Sequence, residues 1–311
     1  MKKIAIARST LNVSSVVLGL MRIGAMKDDE IRKLIDAAMA AGINMLDHAD
    51  IYGDSTHQCE KRFGEAMKLS AADREKIVIQ SKAGIVKEGP YFDFSEAHIL
   101  QAVEGSLKAL KTDYLDILLL HRPDALVEPG EVAAAFDKLH AAGKVRNFGV
   151  SNQTPGQIEL LKTSVRQPLI VNQVQLSITH APLIAQGVAI NMAGLEQSVD
   201  RTLGLLDYSR KEAMTLQAWS PYQKAWFDGS FVGDRKAYPD LNKALDEIAS
   251  AHGITPTGVA TAWITRHPAK MQVVLGTTKP ERVREAVAGA GVTLSREEWY
   301  RLFRTAGYTI P

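Results

Sequence analysis

Short apolar runs alternate along the chain with longer stretches in which apolar positions recur every three or four residues. Runs of the first kind are typical of buried strands, and stretches of the second kind are typical of amphipathic helices. Near the N-terminus "SVVLGLM" is followed by "DDEIRKLIDAAMAAG", and the same alternation ends with "MQVVLGTTK" and "PERVREAVAGAG". The pattern therefore predicts an α/β protein in which strands and helices follow one another.

The alternation amounts to about eight strand–helix units in 311 residues, which matches the count and approximate length of a (β/α)8 TIM barrel. A doubly wound sheet is the alternative, but no G-x-G-x-x-G motif follows the first strand, so the usual dinucleotide fingerprint of that fold is missing. No linker or low-complexity stretch divides the chain. We therefore expect residues 1–311 to form a single barrel domain.

Three later stretches complete this prediction. The pattern predicts a helix over "LEQSVDRTLGLLDYSRKEA", residues 195–213, and a long loop over residues 222–240 that would help to form the wall of a pocket. Trp226 and Phe227 are the candidates for apolar contacts in that loop. The Ser295 to Glu298 spacing is that of a capping box, so we expect an added C-terminal helix that packs Trp299, Leu302 and Phe303 on the barrel.

Composition and charge favour a small-molecule partner. The chain has 37 Lys and Arg against 35 Asp and Glu, a net charge of +2, with no basic run of the kind that binds nucleic acid or a membrane surface. No segment approaches the roughly 20 apolar residues of a membrane span, and Arg8 interrupts the N-terminal apolar run too early for a signal peptide. The single cysteine, Cys59, lies in a helical pattern and fits a reducing compartment, so we expect a cytoplasmic protein. A barrel of this size needs no oligomer to bury its core.

Polar side chains follow three neighbouring predicted strands where each strand ends. Asp47 and Tyr52 follow the second strand, Lys82 ends the third, and His121 follows the fourth. Taken singly, Asp47 could cap a turn, Tyr52 could anchor a loop, Lys82 could mark where a strand meets water, and His121 could be a hydrogen-bonded structural residue. The carboxyl ends of the strands are where TIM barrels build their active sites, so the convergence of all four predicts a catalytic site.

The four side chains have the properties that carbonyl reduction requires. The reaction delivers a hydride to carbon and a proton to oxygen, and a free tyrosine with a pKa of about 10 gives up its proton reluctantly. An ammonium group from Lys82 would lower the pKa of Tyr52, and Asp47 would keep that lysine charged. A neutral His121 could hydrogen-bond the substrate oxygen and orient it.

These motifs resemble those of the aldo-keto reductases, NAD(P)H-dependent barrel enzymes. "LDHADIYG", "SKAG" and "LLLHRPD" look like the family's Asp and Tyr, Lys, and His motifs, in the family's order, and "LLLHRPD" with "GTTKPERVREA" looks like a bacterial subgroup. "GVSN" and "VNQVQLS" look like its carboxamide-binding segments, which implies that Ser151, Asn152 and Gln173 hold the nicotinamide amide. In "AWSP" the resemblance implies that Trp219 stacks on the nicotinamide and that Ser220 touches the pyrophosphate.

The stretch "LGTTKPERVREA" has the pattern of an anion site. A strand ends, Gly276, Thr277 and Thr278 form a turn with backbone and hydroxyl donors, and a helix starts near Pro280 with the positive end of its dipole towards the turn. Lys279 and Arg282 could then contact the 2′-phosphate of NADPH, as the resemblance implies for Arg282; a solvated basic helix start is the alternative. Resemblance alone implies that Glu285 contacts the adenine.

The chain departs from the family pattern at one position and leaves another open. Many family members have a lysine at the position of Gly276, so we expect NADPH as the cofactor, with NADH the less favoured alternative. Arg22, in "GLMRIG", lies near the cofactor and the four catalytic candidates, where its charge could engage the ribose or an acidic substrate. We assign His48 and Asp50 to the hydrogen-bond network around the site.

Three functions compete. An NADPH-dependent reductase of aldehydes or ketones, with Tyr52 as the general acid, accounts for most of the motifs. A metal-dependent barrel hydrolase would use His48, Asp50 and His121, but the sequence lacks a paired-histidine motif after the first strand, and we expect no metal. A nucleotide-sensing binding module is the third, because the fold that the resemblance implies also serves as a regulatory subunit of ion channels.

Overall fold

Parallel strands close into a barrel in the computed structural model, which describes residues 1–224 and 228–311. The barrel strands are β1 (Val16–Gly19), β2 (Met45–Asp47), β3 (Val78–Ala83), β4 (Ile117–Leu120), β5 (Phe148–Ser151), β6 (Leu169–Gln175), β7 (Thr215–Trp219) and β8 (Gln272–Leu275). Each strand pairs in parallel with the next, and β8 pairs with β1 through Val274 and Val17 to close the ring. The predicted TIM barrel is confirmed.

The strands read as continuous apolar runs because both of their faces are buried. One set of side chains fills the barrel interior, among them Val17, Met45, Ile117, Leu119 and Val171. The other set lies between the strands and the surrounding helices. Burial on both faces leaves few polar positions in the strands, so the polar side chains at or inside the barrel stand out.

Helices surround the barrel and turn their apolar sides towards it. They are α1 (Asp28–Ala40), α2 (Gln58–Met67), α3 (Ala71–Arg74), α4 (Glu96–Leu110), α5 (Pro129–Ala141), α6 (Pro155–Lys162), α7 (Pro182–Val188), α8 (Leu205–Lys211), α9 (Pro239–His252), α10 (Pro256–Thr265), α11 (Pro280–Gly291) and α12 (Arg296–Thr305). Among the described residues, no helix is both long and apolar enough to cross a membrane.

Two antiparallel hairpins, which the apolar pattern does not predict, lie outside the barrel. Lys3–Ala5 pairs with Asn12–Ser14 directly before β1, at the amino-terminal end of the strands. Ile85–Val86 pairs with Tyr91–Phe92 directly after β3, at the carboxyl end. The second hairpin therefore stands on the side where the polar strand ends meet.

The structure corrects two helix predictions. The helix predicted over residues 195–213 is only a 3₁₀ turn at Glu196–Ser198 followed by α8, because Leu203 and Gly204 have left-handed backbones with φ of 53° and 69° and interrupt it. The pattern also fails to predict α10, whose residues from 258 to 264 are all buried and which therefore has no polar face. There α10 and α11 approach so closely that a Cβ on Gly289 would lie 1.9 Å from the carbonyl oxygen of Gly258.

The predicted C-terminal helix is confirmed as α12. Ser295 accepts a hydrogen bond from the backbone N–H of Glu298 and the Glu298 side chain accepts from Ser295, as the capping box requires. Trp299 stacks on Trp263 of α10 with ring centroids 4.8 Å apart, and each indole donates a hydrogen bond to the other residue's carbonyl oxygen, at 3.2 and 2.9 Å. This reciprocal pair joins α12 to the barrel's outer layer.

Hydrogen bonds anchor described residues of the predicted loop over residues 222–240. Phe231 donates its backbone N–H to Tyr222 across 3.1 Å and its ring is fully buried, and Asn242 of α9 donates to the carbonyl oxygens of Phe231 and Tyr238. Tyr222 also bonds Thr261 of α10 at 2.7 Å. The two predicted contact residues, Trp226 and Phe227, lie outside the described residues.

Candidate active site

The carboxyl ends of β2, β3 and β4 bring the four predicted catalytic side chains together. Asp47 is the last residue of β2, Tyr52 lies in the loop after it, Lys82 lies near the end of β3, and His121 directly follows β4. They meet at a cavity of about 1060 Å³ whose wall includes Asp47, Tyr52 and His121. Lys82 is 1% exposed and lies beneath this wall.

Lys82 is the hub of the hydrogen bonds between these residues. Its Nζ donates to both carboxylate oxygens of Asp47 at 2.8 and 2.7 Å, to the carbonyl oxygen of His48 at 2.8 Å and to the hydroxyl of Tyr52 at 2.9 Å. Because the Tyr52 oxygen accepts from Lys82, its own O–H hydrogen is free to point elsewhere. The arrangement leaves Tyr52 as a proton donor at the cavity wall.

The pKa of Tyr52 shifts against the sequence-based expectation. Burial raises the pKa of the phenol, the ammonium of Lys82 acts to lower it, and the carboxylate of Asp47 raises it again, so that on balance it lies above the usual value. Burial by itself would lower the pKa of Lys82, but the charge of Asp47 and the bonds to Asp47 and Tyr52 raise it. The resting pair is therefore a charged lysine and a protonated tyrosine.

His121 is held neutral beside this pair. Burial, together with the positive charges of Lys82 and Arg122, places the pKa of its imidazole well below the ordinary value. The ring lies edge-on to Tyr52 at a centroid distance of 5.9 Å, and its buried Nδ1 has no hydrogen-bond partner in the described part of the chain. A proton on Nε2 rather than Nδ1 avoids an unpaired buried donor and gives the cavity an N–H group.

Ser151, Asn152, Trp219 and Ser220, four of the predicted cofactor residues, are brought together at the ends of β5 and β7 and line the cavity. The Trp219 indole donates to Asn152 Oδ1 at 3.0 Å, Asn152 Nδ2 donates to Ser151 Oγ at 2.7 Å, and Ser151 Oγ donates to the carbonyl oxygen of Gln173 at 2.8 Å. Asn152 and Ser220 both have left-handed backbones, with φ of 56° and 52°, a conformation that is uncommon for residues other than glycine.

The predicted phosphate-binding residues divide into two sets. Gly276, Thr277 and Arg282 line the same cavity, in the segment that leads from β8 into α11. Thr278, Lys279 and Glu285 do not contribute to the wall formed by the described residues. Lys279 instead precedes α11, and its backbone N–H donates to Thr277 Oγ1 at 3.1 Å, which shapes the turn. Arg22 lines the cavity, as predicted for a residue near the site.

The interpretation of His48 and Asp50 holds for their backbones and is wrong for the His48 ring. Their backbone N–H groups donate to the carbonyl oxygens of Gln80 and Lys82. The His48 ring is fully buried edge-on to Phe63, and neither ring nitrogen has a partner among the described residues. Burial lowers the pKa of His48 to about 4, whereas burial and the charge of Glu60 raise the pKa of Asp50 to about 7.

Several residues that shape the site are not predicted by the sequence pattern. Arg122 lines the cavity with its guanidinium 5.7 Å from the centre of the Trp219 ring, and its position directly after His121 was the available signal. Lys87 donates to the carbonyl oxygens of Ile51 and Gly53 at 3.1 and 2.5 Å and so clamps the Tyr52 loop to the second hairpin. Gln80, Gln217 and Gln272 lie buried inside the barrel, where a polar residue in an apolar strand was the signal.

Comparison with known proteins identifies the family of the chain. The family model described as the aldo/keto reductase family matches residues 15–304. The chain is 37% identical to the oxidoreductase YcsN of Bacillus subtilis over 100% of both chains, and 35% identical to the 6-dehydroglucose reductase of Agrobacterium fabrum over 98% of both. The crystal structure of the thermostable aldo-keto reductase Tm1743 with the inhibitor epalrestat matches 98% of this chain and 100% of that chain, with a TM-score of 0.77 at 25% identity. The chain belongs to the aldo/keto reductase family.

Proposed function

We propose that this protein reduces aldehydes or ketones to alcohols with NADPH as the hydride donor and Tyr52 as the proton donor. One observation carries the proposal: Tyr52, at the cavity wall, accepts a hydrogen bond from a lysine that is itself held by Asp47. That arrangement offers an O–H hydrogen to the cavity and a positive charge to the phenolate that proton transfer would leave.

The residues divide the work of proton delivery. His121, neutral and beside Tyr52, can donate its Nε2–H to a carbonyl oxygen and orient it. NADPH, when bound, supplies the hydride for the carbonyl carbon. The developing alkoxide takes the Tyr52 proton, Lys82 stabilises the resulting phenolate, and solvent restores the proton. Because an alkoxide is much more basic than a phenolate, the raised pKa of Tyr52 does not prevent this step.

The cavity fits a dinucleotide by the chemistry of its walls. Ser151, Asn152 and Gln173 present hydroxyl and amide groups at the end near Tyr52, where a nicotinamide would be held. Thr277 and Arg282 line the cavity beside the amino-terminal end of α11, which directs its positive dipole towards the turn. Hydroxyl, backbone and guanidinium donors of this kind suit phosphate groups.

Preference for NADPH over NADH rests on the basic residues at the start of α11. We assign contact with the 2′-phosphate to Arg282, with Lys279 as a second cation beside it, and contact with the adenine to Glu285. Gly276, Thr277, Thr278 and Ser220 are assigned to the phosphates, and Trp219 to the nicotinamide ring. For Arg22 the two roles remain the ribose and an acidic substrate, and cavity access supports both.

The competing functions have less support. Among the described residues, no group of three or more His, Cys, Asp and Glu side chains is arranged to hold a metal ion, and His48 and Asp50 are buried away from the cavity wall. A nucleotide-sensing module would keep the cofactor residues without needing the Tyr52–Lys82 bond. The presence of that bond therefore favours the reductase.

We also propose that residues 1–311 act as one barrel domain that needs no second subunit. The test compares the mass of the protein in solution with the mass of the species that carries the activity.

The test is oxidation of NADPH, followed by its absorbance, with a panel of aldehydes, diketones and sugar aldehydes; the relative from Agrobacterium fabrum is named for reduction of 6-dehydroglucose. The unaltered protein is compared with Tyr52→Phe, which keeps the ring and removes the acidic proton. Turnover that disappears in the variant while NADPH binding persists would support the proposal. Equal rates would show that Tyr52 is not the acid, and NADPH binding without any turnover would favour the sensing module.

A further inference from the structure

Four buried glutamines form a hydrogen-bonded network inside the barrel. Gln80 lies on β3, Gln173 on β6, Gln217 on β7 and Gln272 on β8, and they are between 0% and 3% exposed. Only Gln173 belongs to the cavity wall formed by the described residues. The other three are polar side chains in an apolar interior, where each amide needs partners to offset its desolvation.

The network contacts the catalytic aspartate directly. Gln80 Nε2 donates to Asp47 Oδ1 at 2.6 Å, and Gln173 Nε2 donates to the same oxygen at 2.9 Å. The same two nitrogens also donate to Gln217 Oε1, at 2.9 and 3.0 Å. Asp47 and Gln217 thus hold the two –NH₂ groups from opposite sides.

Below this level the chain of bonds continues towards the amino-terminal end of the barrel. Gln217 Nε2 donates to Gln80 Oε1 at 3.2 Å and to Gln272 Oε1 at 3.0 Å. Gln272 Nε2 donates to the carbonyl oxygen of Ser14 at 2.8 Å, with Met45 Sδ at 3.5 Å as a weak second acceptor. Every amide hydrogen of the four glutamines is accounted for in this way.

The partners fix which way each amide faces. A backbone carbonyl and a carboxylate can only accept, so Ser14 requires the nitrogen of Gln272 and Asp47 requires the nitrogens of Gln80 and Gln173. Gln217 must then present its oxygen to Gln80 and Gln173, as it does. Reversing Gln173 would set its oxygen against the oxygens of Asp47 and Gln217.

We propose that Gln217 and Gln80 are positioning residues that lock the Gln173 amide with its carbonyl oxygen towards the cavity, where it accepts a hydrogen bond from the –NH₂ group of the nicotinamide carboxamide. The inference rests on the proposed function. Since Gln173 Nε2 is shared between Asp47 and Gln217, the same lock ties recognition of the cofactor's amide to the placement of the aspartate that holds Lys82.

A cofactor analogue separates this role from a general structural one. In 3-acetylpyridine adenine dinucleotide phosphate, a methyl ketone replaces the carboxamide, so the analogue cannot donate to Gln173. We expect the unaltered protein to bind NADP⁺ about tenfold more tightly than the analogue, the worth of one well-placed hydrogen bond, measured by calorimetry or tryptophan quenching. In Gln217→Met the –NH₂ group of Gln173 keeps only Asp47 as an acceptor, so the amide is held on one side and can tilt away from the cavity. We expect the ratio of the two dissociation constants to fall from about ten to between one and three.

The matched control is Gln186→Met, the same substitution at a buried glutamine of α7 that bonds Thr202 and does not line the cavity. Its ratio should equal that of the unaltered protein. Gln217→Asn, which keeps an amide but shortens the side chain by one methylene, is the second variant if Gln217→Met does not fold. The ratio of the two dissociation constants should fall in this variant as well. Binding of NADP⁺ with a ratio unchanged in the Gln217 variants would overturn the inference alone, whereas no NADP⁺ binding by the unaltered protein would overturn the proposed function with it.

Discussion

The ammonium of Lys82 donates a hydrogen bond to the hydroxyl of Tyr52 across 2.9 Å, where the lysine is buried and the tyrosine is half-buried at the cavity wall. Burial makes the charge of Lys82 costly unless a carboxylate offsets it, and Asp47 does so at 2.7 Å. The same ion pair therefore serves two purposes, since it keeps the lysine charged for catalysis and it leaves neither charge buried without a partner.

Replacing Lys82 with methionine should reduce both activity and stability. The substitution leaves the Asp47 carboxylate buried without its cation, so we expect the free energy of unfolding to fall by roughly 3–5 kcal/mol in denaturant titrations. The rate of carbonyl reduction should fall by about 10²-fold or more, because the phenolate of Tyr52 loses its stabilising charge.

The double variant Asp47→Asn with Lys82→Met distinguishes these two effects. It removes both charges together, so much of the stability should return, while activity should stay at the level of the single variant. Recovery of activity together with stability would show that Lys82 acts on folding alone.

The stability of the protein should depend on pH through His48 and Asp50 with opposite signs. The pKa of His48 is about 4 in the folded protein and 6.5 when exposed, so between pH 6.5 and 4 only the unfolded chain gains a proton there, and stability is lost as pH falls. The pKa of Asp50 is about 7 against 3.8 when exposed, so between those values only the folded chain keeps a proton, and stability is lost as pH rises.

Two variants measure these contributions in denaturant titrations at pH 4 and pH 7. Relative to the unaltered protein, His48→Gln should gain about 3 kcal/mol on going from pH 7 to pH 4, and Asp50→Asn should lose about 4 kcal/mol over the same change. Each variant is the control for the other, because a general effect of mutation would move both in one direction. Parallel pH curves for the unaltered and His48→Gln proteins would contradict the assigned shift.

Arg282→Ala should weaken binding of NADPH more than binding of NADH. A charge-assisted hydrogen bond to the 2′-phosphate corresponds to about 10- to 100-fold in affinity. NADH has no 2′-phosphate, so its affinity does not depend on this bond. Dissociation constants for the two cofactors, measured by tryptophan quenching, give the ratio. Lys279→Ala, at the neighbouring cation outside the cavity wall, should change that ratio less. An equal loss of affinity for both cofactors in Arg282→Ala would show that Arg282 does not contact the 2′-phosphate.

Trp299→Ala should destabilise the protein without abolishing the chemistry. Trp299 is 8% exposed and forms the stacked, reciprocally hydrogen-bonded pair with Trp263, so we expect a loss of about 3–5 kcal/mol in the free energy of unfolding. Arg304→Ala, at an exposed position of the same helix, should change it by about 0.5 kcal/mol or less. Activity per folded molecule should be retained in both, and its loss in Trp299→Ala would assign α12 a part in the site.

The sequence predicted most of the barrel because its strands and most of its helices have strong local patterns. Asp47, Lys82 and His121 could be placed together for a topological reason, since the carboxyl ends of parallel strands meet on one face of a barrel. Prediction failed where the local signal was absent or broken. Helix α10 is buried on all sides and shows no polar face, and the helix predicted over residues 195–213 is interrupted by the left-handed backbones of Leu203 and Gly204.

By itself, the sequence determined the barrel, the polar ends of its strands and a chemistry suited to carbonyl reduction, because periodicity and residue type are local properties of the chain. Only the tertiary structure decided the environment of each group. The pKa of Tyr52 lies above its usual value because burial outweighs the charge of Lys82, and the orientation of Gln173 depends on its hydrogen bonds to Asp47 and Gln217, which come from two other strands. Desolvation and hydrogen bonds between distant residues arise only once the barrel closes, and no local pattern records them.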